Sequence, residues 1–457
     1  MNKVITGNTI IEGKPYSFFL DDFLLHLVPS NFENALLPFT KIDFDTLKGT
    51  TCSFHEIFFL GVHIQIGLAS ELSAYISGYL LGKNNLREAE IEQFSSISFY
   101  GKIVDNYYHP FRKFDTKNSI FDFEEGSSTI SLLPYQATNF KIDLLPSLIL
   151  EINVSSPHNP NPDNLSLGEL HSYLRLVSAE PWEISNIVGI YKRIFDIFTF
   201  FNFRKNICFE HILISKTNKA GLYSPIAELF VRSPEERFDM PRYRTITHED
   251  IKDKFKDIYL MSPFEKFLLF VPENELNATF LTYDTYSRMC STFEGLFDMC
   301  SEQIYKGYTD SEHAANEMHI KSRIVGLLSN LRLEYLDERR DIINDYINKY
   351  SLPDEQTLRT KFLTVLRNEK TVLEKVYPRV KFNSRFNSRI AYLFAEQRNS
   401  LQHGRTEIIS DIQVTPYTIA CCLIYIMLLH IFNVDTENIT NIVKKVFENY
   451  RCVAELD

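Results

Sequence analysis

Arg398 and His403 stand five residues apart in the stretch 390–405, IAYLFAEQRNSLQHGR. Those two side chains suit one reaction, cleavage of RNA by its own 2′-hydroxyl. That reaction needs a base for the 2′-OH, an acid for the leaving 5′-oxygen and positive charge on the phosphorane; it needs no metal. Histidine, with an ordinary pKa of about 6.5, exchanges protons near neutral pH. Arginine keeps its charge, and its planar fork matches phosphate oxygens. One histidine does not conveniently serve as acid and base together, so a two-fold dimer that brings two motifs together is the economical arrangement. No other histidine in the chain has an arginine five residues before it.

The element that must carry these residues is a helix. Residues 390–402 contain neither Pro nor Gly and are supplied with Ala, Leu, Glu and Gln. Gly404 is placed to end it, because glycine takes the left-handed conformation cheaply. At about 100° per residue, Ile390, Leu393, Phe394, Gln397 and Leu401 share one side, the expected buried face. Arg385, Arg389, Tyr392, Glu396 and Asn399 fall within about 40° of His403 on the opposite side, while Arg398 points about 140° away from it. The two side chains therefore meet on one phosphate only if the helix unwinds near Gly404 or a second chain supplies the partner.

The charge around this helix is local. Residues 359–405 hold eleven Lys or Arg and three acids, a net of +8, in a chain whose total is −11. Tyr377, Phe382, Phe386 and Tyr392 are interleaved with the cations. Basic residues mixed with aromatics suit a phosphate-rich ligand docked at one place, and Arg385, Arg389, Tyr392 and Arg405 are the candidate RNA contacts. A solvated helix face with compensating charge elsewhere is the plainer explanation of the same pattern.

RNSLQHG, residues 398–404, with an apolar helix following it, resembles the catalytic motif of HEPN-domain ribonucleases: Arg, a polar residue, three variable positions, then His. A β-rich N-terminal region followed by a C-terminal helical domain resembles the architecture of ApeA-like anti-phage defence proteins. The resemblance implies that Arg398 and His403 are catalytic, with Asn399 the polar residue beside the arginine. It also implies that Glu294, on the first helix of that domain, orients Arg398. The implied protein is a bacterial, metal-independent endoribonuclease. It works as a HEPN dimer or higher even-numbered homo-oligomer, cuts cellular RNA such as tRNA, and arrests growth on infection.

Length and composition bound the rest. The 457 residues suggest two or three domains, and the 44% hydrophobic content can fill large cores. Net charge is −8 in residues 1–274 and −3 in 275–457, so any RNA contact should be confined to one patch. The seven cysteines contain no CxxC, and Cys208 with His211 lacks a second ligand pair, which suggests reduced thiols in a cytoplasm and no metal or cofactor. His313 and His319, six apart among Glu312 and Glu317, do not share a helix face. His430, in the most apolar helix, reads as a core histidine. The first residues, MNKVITGNTIIEGK, lack the apolar core of a signal peptide. The apolar run 419–429 is too short to span a bilayer and reads as a buried core helix, so no membrane partner is expected.

The expected fold is α+β: a β-rich region over residues 1–274, sandwich or barrel-like and carrying a helical insert, then an all-α bundle of the HEPN kind over 275–457. Residues 62–68 and 148–154 alternate with the period of half-buried strands, and 91–100, 128–133 and 207–214 are further candidates. The Pro-rich segment 155–164 marks a sub-boundary. Ser166 to Glu169 has a capping-box pattern that predicts a helix, and a second is predicted over about 183–203 with Ile184, Val188, Tyr191, Phe195 and Phe198 as its core stripe. From 275 onward helices are predicted at 276–306, 312–347, 355–376, 383–403, 415–432 and 436–450. The N-terminal region would sense a trigger, such as a phage-derived protein. The alternative function is a non-catalytic HEPN-type module that binds nucleotide, RNA or a partner protein; an accidental motif in a scaffolding protein is the third.

Overall fold

A computed structural model of the chain describes residues 4–30, 41–66, 72–83, 93–124, 127–134, 138–155, 170–218, 221–232, 234, 241–274, 277–278, 281–301, 304–305, 311–335, 339–351, 357–402 and 413–450. The chain divides into two compact units: Met1–Ser262 with Glu273–Glu275, and Pro263–Pro272 with Leu276–Asp457. The first is built on strands and the second on helices, the α+β class expected from the sequence.

In the first unit the strands are β1 Ile5–Ile11, β2 Lys14–Asp21, β3 Leu24–Pro29, β4 Lys41–Thr51, β5 Glu56–Ile66, β6 Leu72–Tyr75, β7 Gly78–Gly82 and β8 Gln93–Tyr100, followed by β9 Phe114–Glu124, β10 Ser127–Pro134, β11 Asn139–Leu145, β12 Leu148–Val154, β13 Ser172–Glu183, β14 His211–Thr217 and β15 Tyr223–Val231. β9 and β10 pair with each other, and the rest form one antiparallel sheet in the order β11-β12-β13-β8-β14-β15-β7-β5-β4-β1-β2-β3-β6. Because β6 pairs with both β3 and β5, six of these strands close on themselves as a barrel. Alternate residues point inward and pack its interior, among them Tyr16, Phe18, Leu25, Leu27, Phe59, Val62 and Ile64. β5 serves two neighbours on one edge, β7 from Ile57 to Leu60 and β6 from His63 to Ile66. Gly61 sits at the change-over with φ +60°, and a Cβ there would lie 2.5 Å from Ser77 Oγ. Only glycine fits that backbone without strain.

The open half of the sheet carries helices. α1 is Lys102–Tyr107, α2 Ile187–Asn202, α3 His248–Ile251 and α4 Phe255–Leu260. α2 connects β13 to β14, which both pair with β8. Its buried side is Ile187, Ile194, Ile197, Phe198 and Phe201, while Val188 is exposed. The expected stripe is thus rotated by about one residue. The capping box at 166–169 lies outside the described residues, and no helix follows it: 172–183 is strand. Its side chains alternate buried and half-buried from Ser172 to Val177, and it pairs on both edges. Two ladders outweigh a local cap signal.

In the second unit the helices are α5 Tyr283–Cys300, α6 Ser311–Glu334, α7 Arg339–Ser351, α8 Leu358–Asn368, α9 Lys370–Val376, α10 Ser384–Gln402, α11 Val414–Ile431 and α12 Thr436–Phe447. The single helix expected over 312–347 is a pair, α6 packed on α7. The one expected over 355–376 breaks at Glu369, which ends α8 and starts α9. Its carboxylate is buried and accepts from Tyr305 Oη at 3.3 Å, with His430 Nε2 at 3.2 Å on the same oxygen. His430 thus has the satisfied environment expected of it. α11 is the core element, with every residue from Ile419 to Leu429 buried. By length and composition it would pass for a membrane span, yet 78% of it is buried inside the unit. Pro263–Pro272, expected within the β-rich region 1–274, packs here instead: Phe264 lies against Phe432 and Phe270 against Tyr425.

One buried titratable group makes the first unit sensitive to pH. His248 opens α3 among the rings of Tyr107, Tyr108 and Phe140, and its Nδ1 is buried without a hydrogen-bond partner among the described residues. Burial, and then the charge of Lys113, hold its pKa down at about 4. Unfolded, the ring takes its proton near 6.5, so between those values the unfolded chain binds more protons and stability rises with pH. The contribution is complete above about pH 6.5 and is lost on acidification toward pH 4, on the order of 1–3 kcal/mol. Urea midpoints read by the emission of Trp182, the only tryptophan, should fall less between pH 7 and pH 4.5 in His248→Phe than in the wild type. Equal falls would show that His248 is not the group responsible.

Candidate active site

α10 is fixed at its start by Asn383, whose side chain accepts from the amide of Phe386 at 2.9 Å. Phe386, Ile390, Ala391, Leu393 and Phe394 are buried, while Arg385, Arg389, Tyr392, Glu396 and Asn399 are exposed. The exposed face is the one the 3.6-residue period predicts, while on the expected buried face Gln397 and Leu401 are only half-buried. Arg398 lies between them, half-buried.

Phe394 anchors the helix. Its ring stacks on Phe362 of α8 at 4.2 Å and meets Phe293 of α5 at 5.7 Å. Tyr286, lower on α5, donates its hydroxyl to the carbonyl of Phe394 at 3.2 Å inside the core. Helical geometry offers that same carbonyl to the amide of Arg398, one turn on. α5 itself starts at Thr282, whose hydroxyl caps the amide of Thr285. Tyr286, Cys290, Phe293 and Phe297 form its buried side. Glu294 follows Cys290 by one turn, at the rim of that side. Burial pushes the Cys290 thiol pKa well up, and the charge of Glu294 adds to the shift.

Glu294 and Arg398 meet at this rim. Arg398 Nη2 is 3.5 Å from Glu294 Oε2, with the side chains 28% and 30% exposed. The structure thus brings together the arginine and the acid singled out in sequence, from helices about a hundred positions apart. A partly exposed pair of this kind contributes at most about 1 kcal/mol. Its effect is on position: the carboxylate holds the guanidinium at the rim where α5 meets α10. His403, Gly404 and Arg405 lie outside the described residues, and α10 is described as far as Gln402.

The basic stretch is divided in use. Lys361 pairs with Asp298 at 2.6 Å and Lys370 with Glu374 at 3.6 Å. Arg389 and Arg359 instead lie over the ring of exposed Tyr392, each 5.8 Å from its centroid. Arg359, on α8, had no sequence signal linking it to Tyr392, since the two are brought together only by the packing of α8 on α10. Among the described residues no group of three metal-ligating side chains gathers.

No protein-family model, no curated protein and no solved structure matches the chain. Function is therefore argued from these residues.

The ion pair is open to a direct check. Removing the charge in Glu294→Gln should leave the melting temperature nearly unchanged, because the pair is worth little. It should let Arg398 react several-fold faster with an arginine-specific dicarbonyl reagent, followed by peptide mass mapping. An unchanged rate at Arg398 would mean that the pair does not hold the side chain in solution.

Proposed function

We infer that this chain is a metal-independent endoribonuclease acting in bacterial defence against phage, with Arg398 and His403 as its catalytic residues. The observation that carries the reading is Arg398, held at the end of α10 by Glu294 beside a surface of arginines and an exposed tyrosine. A phosphate-binding guanidinium with a carboxylate behind it is pre-aimed, which is what stabilising a transient phosphorane requires.

The chemistry follows from the residue types. A neutral His403 takes the proton of the 2′-hydroxyl, and the 2′-oxygen attacks phosphorus. Arg398 bears the negative charge of the phosphorane. The 5′-oxygen leaves with a proton from the His403 of a second copy, giving a 2′,3′-cyclic phosphate and a 5′-hydroxyl end. Asn399, exposed beside Arg398, hydrogen-bonds the substrate on this reading. The helical unit is on this reading a HEPN domain working as a homodimer or larger even assembly in the cytoplasm. The β unit is its sensing part, answering a phage-derived protein, and the RNA cut is a cellular one such as tRNA.

Expression in bacteria with and without phage tests this. Total RNA on a denaturing gel should show fragments with the wild type, and these should persist when purified protein is assayed with a chelator. His403→Ala should reduce cleavage by about 10²–10⁴-fold, the usual worth of a general acid–base group. Arg398→Lys should lose about 10²–10³-fold, because a point charge does not replace the fork. Cleavage by His403→Ala at the wild-type rate would reject the assignment. RNA that is bound in a salt-sensitive way yet stays whole would establish the non-catalytic binding module instead.

A further inference from the structure

Tyr392 stands on the exposed face of α10 with two guanidinium groups against its ring, Arg389 from its own helix and Arg359 from α8. Its hydroxyl donates to Glu396 Oε1 at 2.8 Å, and that bond, first among the causes, raises the phenol's pKa. The ring is therefore fixed at its tip and has both guanidinium groups over it, while 40% of the residue remains open to solvent. Neither arginine has an ion-pair partner among the described residues, unlike Lys361, Lys370 and Arg398 around them. Arg385, also exposed, lies two turns earlier on the same face. Two arginines without an ion-pair partner among the described residues thus meet at one exposed tyrosine.

We propose that Tyr392, Arg389 and Arg359 form a subsite for one unpaired base of single-stranded RNA, the base taking the place of a guanidinium on the phenol ring as the arginines turn to the phosphates on either side. This rests on the RNA reading above. Every base has a π-face, so an aromatic platform binds strands with little regard to sequence. In a duplex those faces are covered by neighbouring bases, and the deep, narrow major groove of A-form RNA keeps side chains from the base edges, so the ring selects for unpaired nucleotides. Arginine suits the flanks because its fork grips phosphate. Tyr392 precedes Arg398 by six residues, about 9 Å along the helix axis. The subsite therefore takes a nucleotide neighbouring the scissile one, not the scissile phosphate itself. It selects RNA loops and unpaired ends as the class of substrate.

The test uses the full chain carrying His403→Ala, so that RNA stays whole, and follows a labelled short single-stranded RNA of mixed sequence, and its duplex, by fluorescence anisotropy. The single strand should bind more tightly than the duplex. Tyr392→Ala should weaken single-strand binding by about ten-fold without changing its salt dependence, while Tyr392→Phe should keep it. Arg359→Ala should weaken binding and lower the log–log salt slope by about one. All three positions are exposed, so the substitutions leave the core intact; a melting curve checks this. Wild-type binding by Tyr392→Ala, preference for the duplex, or no binding of either RNA would overturn the subsite. The two readings separate cleanly. If Tyr392 governs binding but the wild-type chain cuts nothing, the subsite stands and the nuclease falls. If cleavage depends on His403 and Tyr392→Ala binds and cuts normally, the nuclease stands and the subsite falls.

Discussion

The ring of Phe394 sets where α10 lies. It is completely buried between Phe362 of α8 and Phe293 of α5, and the backbone carbonyl of the same residue receives the hydroxyl of Tyr286. Burying such a side chain is worth about 1.5–3 kcal/mol, and well-placed aromatic pairs add about 0.5–1.5 kcal/mol. The ion pair one turn further on contributes at most about 1 kcal/mol. The magnitudes divide the labour: packing fixes the helix, and charge then directs one side chain at its end.

That contact organises more than Arg398. Phe362 lies three residues after Arg359, and Phe394 lies two after Tyr392. Stacking the two phenylalanines therefore brings Arg359 to the face of Tyr392. On the other side, Phe293 precedes Glu294, so the same cluster delivers the carboxylate to Arg398. Two surface features that share no sequence neighbours follow from one buried aromatic group. α8 keeps its place because the chain turns at Glu369, whose carboxylate is held inside the unit by Tyr305 and His430.

Much of α10 was legible. Its start, its buried and exposed faces and the position of Arg398 between them follow from period and composition, since a helix that packs on one side must repeat its apolar residues every three to four positions. β12 was legible for the same reason at period two. What was not legible came from contacts between distant segments. The break at Glu369 reflects a buried acid finding Tyr305 and His430, and nothing near Glu369 in sequence announces either. The stretch after 169 carries a cap signal, but pairing with β12 and β8 makes it a strand. The stripe of α2 was misplaced by about one residue because Phe, Ile and Tyr occupy so many positions there that several faces look equally apolar. Glu294 came from resemblance and Arg359 from neither source; both positions acquire meaning only once α5, α8 and α10 are packed.

α11 poses a problem of synthesis. Its 18 residues have a mean hydropathy of 1.9, so a translocation channel scanning the nascent chain meets a segment that lipid would accept as readily as protein does. The chain order bears on the competition. α5, α8 and α10, three of the helices that bury α11, are made before it, and only α12 among its main neighbours follows. Most of its protein solvent is thus already synthesised when the segment emerges. The aromatic cluster around Phe394, which unites α5, α8 and α10, is thus made first, and through Tyr286 it offers the most lipid-like part of the chain an aromatic partner for Tyr417.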